Sequence, residues 1–497
     1  MNHRTDPVVT TTRGSVRGLR QGGVITFLNI PYAAPPRGAG RFAAPRPHEP
    51  WDGVRDATTP GPNAPQAERR LGRVDMSPYF GDGWHRGEDY LTVNVWTPAD
   101  ADGGDLPVMV FVHGGGFVAG STRSALYDGS AFARDGVVLV TLNYRLGMAG
   151  FLDLPGAPAN RGLLDVVAAL RWVRDNIAAF GGAPHNVTLF GQSAGATVVG
   201  GALATPEAAG LFHRAIVQSG SGLGAFTSEQ AARVTTAAAR ALGVEPHADA
   251  FAEIPDDRLV AAASALAGTD LRTATHHDPL IGLSPFSLVL DTQPAASVAA
   301  GLGAGVDLLV GTNTEEGNLY LVPVDAYATS TRADVDAVAA RAHPDPVRLV
   351  ETYRRTRPRA AHGELRSALM GDALFGAGSR ALADAHADRS GAATYSYEFA
   401  WRSHALDGRL GAAHAVELPF VFDLTRLPRL HGAHALLGPD GPPADLAPRV
   451  HGAWIRFAAT GDPGWAPYGP ERRATMRVDA DWTLVDDPRG RERQAWT

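Results

Sequence analysis

A chain of 497 residues, 44% hydrophobic and 20% charged, carries enough apolar material for one large core with insertions. Its net charge of -7, without any basic block, gives a nucleic-acid-binding role no electrostatic support, and the complete lack of cysteine excludes disulfides and thiolate metal sites. No stretch reaches the roughly 18 apolar residues needed to span a bilayer, and the start of the chain, with His3, Arg4 and Asp6, lacks the apolar segment of a secretory signal. A cytoplasmic protein is therefore expected, with no membrane partner and with a monomer favoured.

In chain order, residues 8–30 alternate around Gly14, Gly18, Gly22 and Gly23, which predicts an N-terminal β-meander. Continuous apolar runs follow at Val108–Val112, Val137–Leu142, Val187–Phe190, Ala215–Val217 and Leu308–Val310, the pattern of strands buried on both faces. Between the second and third runs, Leu163, Val166, Val167, Leu170, Val173 and Ile177 recur at helical spacing, which predicts an amphipathic helix over 163–180. Strand–helix alternation of this kind implies an α/β fold, a mainly parallel sheet covered by helices. Residues 227–275 and 325–390 interrupt the rhythm with helical patterns and are expected to form cap insertions on a single domain spanning 1–497.

Gly191-Gln192-Ser193-Ala194-Gly195 stands between a predicted strand and a helical stretch. In that context the segment is a nucleophile elbow: glycines permit a sharp turn that exposes the serine hydroxyl at the end of the sheet. His113-Gly114-Gly115-Gly116-Phe117 directly follows the strand 108–112. Acyl transfer needs donors aimed at a developing oxyanion, and glycine lets backbone N–H groups come close enough. The N–H groups of Gly115, Gly116 and Ala194 are assigned to this hole. A serine hydroxyl also needs a base within hydrogen-bond reach, and that base needs an acid to fix its tautomer.

These motifs, with Phe27–Ala33, Glu88–Trp96, Asn143–Gly147, Gly162–Asp165, Phe212–Gly220 and Gly461–Pro463 in order along the chain, resemble the type-B carboxylesterases, the α/β-hydrolase family of bacterial para-nitrobenzyl esterases, liver carboxylesterases and cholinesterases. The resemblance implies a serine esterase with Ser193 as nucleophile, His414 of His414-Ala-Val-Glu-Leu418 as base and Glu316 of Thr314-Glu-Glu316-Gly317 as acid, working without cofactor or metal on a small-molecule ester. It further implies that Ser219 hydrogen-bonds the acid and that Glu417 is a structural partner. Phe117, Phe80 and Trp84 are placed at the substrate pocket or its mouth, and Arg41 with Glu88 and Arg145 with Asp165 are expected to be ion pairs beneath the site. The chain departs from the family at Tyr90, where many eukaryotic members have a disulfide cysteine, and at Thr292, where glycine is usual after the aspartate. Two other readings stand beside the esterase: a non-catalytic cholinesterase-like binding protein, against which the presence of Ser193, Glu316 and His414 argues, and a carbamate or amide hydrolase with the same triad. A dinucleotide fingerprint at Gly220–Ala225 is a decoy on this reading, because the elbow and the glycine loop have no role in it, and so are the histidine groups His276-His277-Asp278 and His431…His434, because no H-E-x-x-H or comparable helix motif supports them.

Overall fold

The computed structural model describes residues 6–101, 104–389 and 391–497; His3, Arg4 and the end of the second predicted insertion at Ser390 lie outside them. An eleven-stranded sheet runs through the molecule. Its strands are β1 (Leu19–Gln21), β2 (Val24–Pro31), β3 (Thr92–Pro98), β4 (Leu106–Val112), β5 (Val138–Leu142), β6 (Gly182–Gln192), β7 (Arg214–Gln218), β8 (Asp307–Asn313), β9 (Thr394–Phe399), β10 (Ala474–Val478) and β11 (Thr483–Asp486). Their spatial order is β11-β10-β9-β8-β7-β6-β4-β5-β3-β2-β1. The seven strands from β10 to β5 pair in parallel, and the two edges are antiparallel.

The parallel block follows from composition. In β4, Val108, Val110 and Val112 face one core while Met109 and Phe111 face the other, so a strand with no polar alternation is dry on both sides. Helices Arg161–Asn176 and Ala194–Leu203 cover the first face, and Leu446–Thr460 covers the second. The predicted 163–180 helix is an α-helix over Arg161–Asn176 that tightens into a 3₁₀ turn at Ile177–Phe180 before Gly181, which adopts φ 84°.

The N-terminal meander divides. Ser15–Arg17 pairs with Val8–Thr10 on one side and with Val54–Asp56 on the other in a small separate sheet, while β1 and β2 form the edge of the large one. The first insertion holds helices Ser228–Leu242, Ala248–Ala252 and Asp256–Ala265; the first of these opens on a capping box between Thr227 and Gln230. The second holds Arg332–Ala342, Pro346–Thr356, His362–Gly371 and Ala377–Ala387, and packs a core of its own around Val335, Leu349, Tyr353 and Leu369. Among the described residues no helix is long and apolar enough to cross a membrane.

Of the two expected ion pairs, Arg145 and Asp165 do meet. Two guanidinium nitrogens lie 2.7 and 2.8 Å from the carboxylate, both side chains are fully buried, and Arg145 also donates to the carbonyls of Arg41 and Ala43. The pair thus pins the 41–43 loop to helix Arg161–Asn176. Asp165→Asn should destabilise the fold by about 3–5 kcal/mol, because it leaves a buried guanidinium uncompensated; a denaturant midpoint equal to that of the wild type would contradict this. The expected Arg41–Glu88 pair is not formed. Glu88 sits on an exposed loop and takes Arg37 at 2.7 Å, whereas Arg41 turns toward the first insertion, donating to the carbonyls of Ala252 and Ile254 and lying 3.4 Å from Asp256. Those carbonyls and that carboxylate are closer to Arg41 than Glu88 is, and they tie the insertion to the sheet domain.

Candidate active site

Register brings the chemistry to one edge of the sheet. Gln192 of β6 pairs with Gln218 of β7, which pairs with Gly311 of β8, so Ser193, Ser219 and the segment after Asn313 all leave the sheet at its carboxyl end. The ladder continues one step further: Ser193 N–H donates to Gln218 O (2.9 Å) and Ser219 N–H to Gly311 O (2.8 Å). At the elbow Ser193 adopts φ 59° and ψ -128°, a strained conformation for a residue with a side chain. The flanking glycine is obligatory here, since a Cβ on Gly195 would lie 2.1 Å from Val112 O.

Glu316 is buried and fully engaged. Its Oε2 lies 2.6 Å from His414 Nδ1, and its Oε1 accepts from the Ser219 hydroxyl (2.5 Å) and from Asn313 N–H (2.7 Å). A carboxylate only accepts, so the imidazole carries its proton on Nδ1 and presents a lone pair at Nε2. Gln192 donates its side-chain amide toward that lone pair at 3.3 Å, and the Tyr79 hydroxyl donates to Gln192 Oε1 at 2.7 Å. Among the described residues Ser193 and His414 do not hydrogen-bond to each other, although both face the same chamber of about 60 Å³. Phe375 stacks flat on the His414 ring, with centroids 4.3 Å apart and planes 6° apart. It is presented by a π-helical turn at Asp372–Gly376, a local widening that re-aims one side chain.

The Gly114–Gly116 loop runs along the other wall. Its conformation needs glycine: Gly115 and Gly116 have φ 120° and 65°. Its carbonyls are held from behind, Gly115 O by Arg69 (2.9 Å) and Gly116 O by Ser284 (2.7 Å). Among the described residues the N–H groups of Gly115, Gly116 and Ala194 have no protein hydrogen-bond partner, and all three residues line the chamber. His113, at the root of the loop, is pushed down to about 4 by burial and is therefore neutral, with Nδ1 2.8 Å from Gly114 O.

Phe80 and Phe117 line the chamber, whereas Trp84 does not; its indole packs under the Arg86 guanidinium at 4.1 Å instead. Reading the sequence also missed Arg69, Gln192, Tyr320 and Phe375. Gln192 stood inside a quoted motif, whereas nothing local marks Phe375, which reaches the site only through the insertion. Among the described residues no group of three or more His, Cys, Asp and Glu stands in a metal-holding arrangement, and His431 Nε2 is hydrogen-bonded to Thr425 O. Gly220–Ala225 opens no helix after β7.

Glu417 is buried behind the site and accepts from the Asn313 amide at 2.6 Å. Burial, then the charge of Glu316, pushes it up to about 7. The folded state therefore holds this proton above the pH at which the unfolded chain releases it, and stability falls as pH rises from about 4.5 to 7. Glu417→Gln should remove that slope. Relative to the wild type it should gain on the order of 3 kcal/mol between pH 4.5 and 8, read from denaturant midpoints; a difference independent of pH would contradict the assignment.

The sequence model of the carboxylesterase family matches residues 5–496. The para-nitrobenzyl esterase of Bacillus subtilis (strain 168) is 37% identical over 502 residues, covering 99% of this chain and 98% of that protein. The phenmedipham hydrolase of Pseudarthrobacter oxydans is 35% identical, covering 98% and 96%. A crystal structure of a Geobacillus stearothermophilus carboxylesterase superposes with TM-score 0.85 at 36% identity, covering 99% of this chain and all of the other. Matched over almost its whole length in sequence and in fold, the chain belongs to the carboxylesterase family and is a carboxylic-ester hydrolase.

Proposed function

We propose that this hydrolysis runs through an acyl-enzyme on Ser193, with His414 as base and Glu316 as its orienting acid. Substrate entry brings Ser193 Oγ and His414 Nε2 within hydrogen-bond reach, a contact that commonly tightens only in the loaded site. As Oγ attacks the ester carbonyl, Nε2 takes the hydroxyl proton, and the imidazolium is stabilised by the Glu316 carboxylate 2.6 Å from Nδ1. The carbonyl oxygen becomes an oxyanion against the N–H groups of Gly115, Gly116 and Ala194. Collapse expels the alcohol, which receives the proton from Nε2. Water then repeats the sequence on the acyl-serine and releases the acid.

The observation that carries this reading is the trio of unpartnered backbone N–H groups beside Ser193. Buried donors are ordinarily satisfied, and three without a partner among the described residues, on the wall of one chamber that also holds a strained serine, fit a transient anion. Met76, Phe80, Phe117, Leu319, Leu374 and Phe375 make the chamber apolar and suit it to apolar or aryl esters. The relative named para-nitrobenzyl esterase supports an aryl group in the substrate. The whole chain serves this one site as a single domain with helical insertions, and a cysteine-free chain suits a reducing, cytoplasmic compartment.

Partitioning tests the acyl-enzyme. With added methanol, aryl esters of one acid and different leaving groups should all give the same ratio of methyl ester to free acid, because all pass through one intermediate. A ratio that changes with the leaving group would contradict it. Faster turnover of a matching aryl carbamate or amide than of the ester would favour the other hydrolase reading.

A further inference from the structure

The chamber at Ser193 is not the largest cavity of the molecule. A vestibule of about 340 Å³ lies outside it, between the 65–71 loop and helix Asp256–Ala265. The two spaces share three wall residues, Arg69, Leu71 and Leu283, so Arg69 stands at the junction. A substrate that extends from the inner chamber into the vestibule passes this side chain.

Its guanidinium is only partly satisfied by protein. One nitrogen donates to Gly115 O at 2.9 Å, and the plane lies 5.6 Å from the Phe80 ring centroid. It also packs beside Gly116, where an added Cβ would come within 2.9 Å of a guanidinium nitrogen. The two acids of the vestibule wall have other partners: Glu68 is held by Arg70 at 2.8 Å, and Asp256 lies 3.4 Å from Arg41. Among the described residues no carboxylate pairs with Arg69. The remaining vestibule wall is largely apolar, with Val118, Leu146, Met148 and Leu259. A half-buried cation with spare planar N–H donors, in an apolar passage, is matched by a carboxylate, which it can grip with two parallel hydrogen bonds.

We propose that Arg69 is a specificity-determining residue that selects esters bearing a carboxylate several bonds from the scissile carbonyl, such as monoesters of dicarboxylic acids. The inference rests on the esterase reading of the same site. The apolar body of such a substrate lies in the inner chamber, and its free carboxylate is held at the junction with the vestibule while the ester carbonyl sits at Ser193.

Two matched ester pairs test this. In one the charge is on the acyl part: 4-nitrophenyl hydrogen suberate against 4-nitrophenyl octanoate. In the other it is on the alcohol part: 4-carboxybenzyl butyrate against benzyl butyrate. The readout is the kcat/KM ratio, charged over neutral, in wild type, Arg69→Leu and Arg69→Lys, with folding checked by thermal melt. In at least one pair the ratio should fall about tenfold or more in Arg69→Leu and be partly kept in Arg69→Lys. Rising salt should lower the wild-type ratio and leave the Arg69→Leu ratio flat. Arg332→Leu, which removes an exposed charge on the helix Arg332–Ala342, should not change the ratio. Neutral esters hydrolysed by the wild type, with ratios in both pairs unaltered by Arg69→Leu, overturn the role of Arg69 alone, as does an equal fall on charged and neutral esters. A wild type inactive on all four esters overturns the esterase reading with it.

Discussion

Replacing Ser193 by alanine is expected to lower kcat on an aryl ester by on the order of 10⁶-fold, the scale seen when the nucleophile of a serine triad is removed. The substitution deletes one hydroxyl at a position that is 8% exposed and touches no ion pair, so the thermal melt should stay close to that of the wild type. Alanine also relieves little of the strain at φ 59°, because that strain comes from the Cβ it retains. The residual rate should stay above that of water, because the three N–H donors and the apolar chamber remain. A variant that kept a tenth of wild-type turnover would remove Ser193 from the mechanism.

The second large effect separates two adjacent carboxylates. Glu316→Gln should lower kcat by up to about 10⁴-fold, since an amide can present a donor where His414 Nδ1–H needs an acceptor and so favours the wrong tautomer. Glu315→Gln should change kcat by less than about tenfold, because the part-buried Glu315 side chain does not touch the imidazole. The geometry gives the reason. Glu316 faces inward to His414, Ser219 and Asn313, whereas Glu315 faces outward to Arg402 and accepts from Ala412 N–H at 3.0 Å. Its part is to hold the loop that leads to His414. The reverse outcome, with Glu315→Gln crippled and Glu316→Gln active, would place the acid one residue earlier.

What the sequence revealed and what it hid divide along a physical line. The strands Val108–Val112 and Val187–Phe190 and the elbow at Ser193 are legible because their signals are local: apolar runs dry on both faces, then glycines at a turn that tolerates nothing larger. Strand β9 (Thr394–Phe399) escaped because its Thr, Ser and Glu break the apolar run, although the strand lies inside the sheet. Glu316 and His414, 98 positions apart, were placed by motif resemblance rather than by any local physical pattern. Arg41 was paired with the wrong acid because nothing in its own neighbourhood shows that the 252–256 segment folds over it. Phe375 and Arg69 lie furthest from legibility: one reaches the imidazole through a π-helical turn and the other reaches the glycine loop through an irregular segment, so both depend on tertiary packing that has no periodic signature.

In mid-reaction the acyl group should reside on Ser193. Mixing the enzyme with a slowly deacylated aryl ester, quenching in acid within the first turnover and mapping the digest by mass spectrometry measures this directly. The result predicted is one acyl group per chain, on the peptide carrying Gly191–Gly195 and at Ser193, and absent from Ser193→Ala treated in the same way. An acyl group carried at another residue, or full turnover with no covalent species at any quench time, would contradict it.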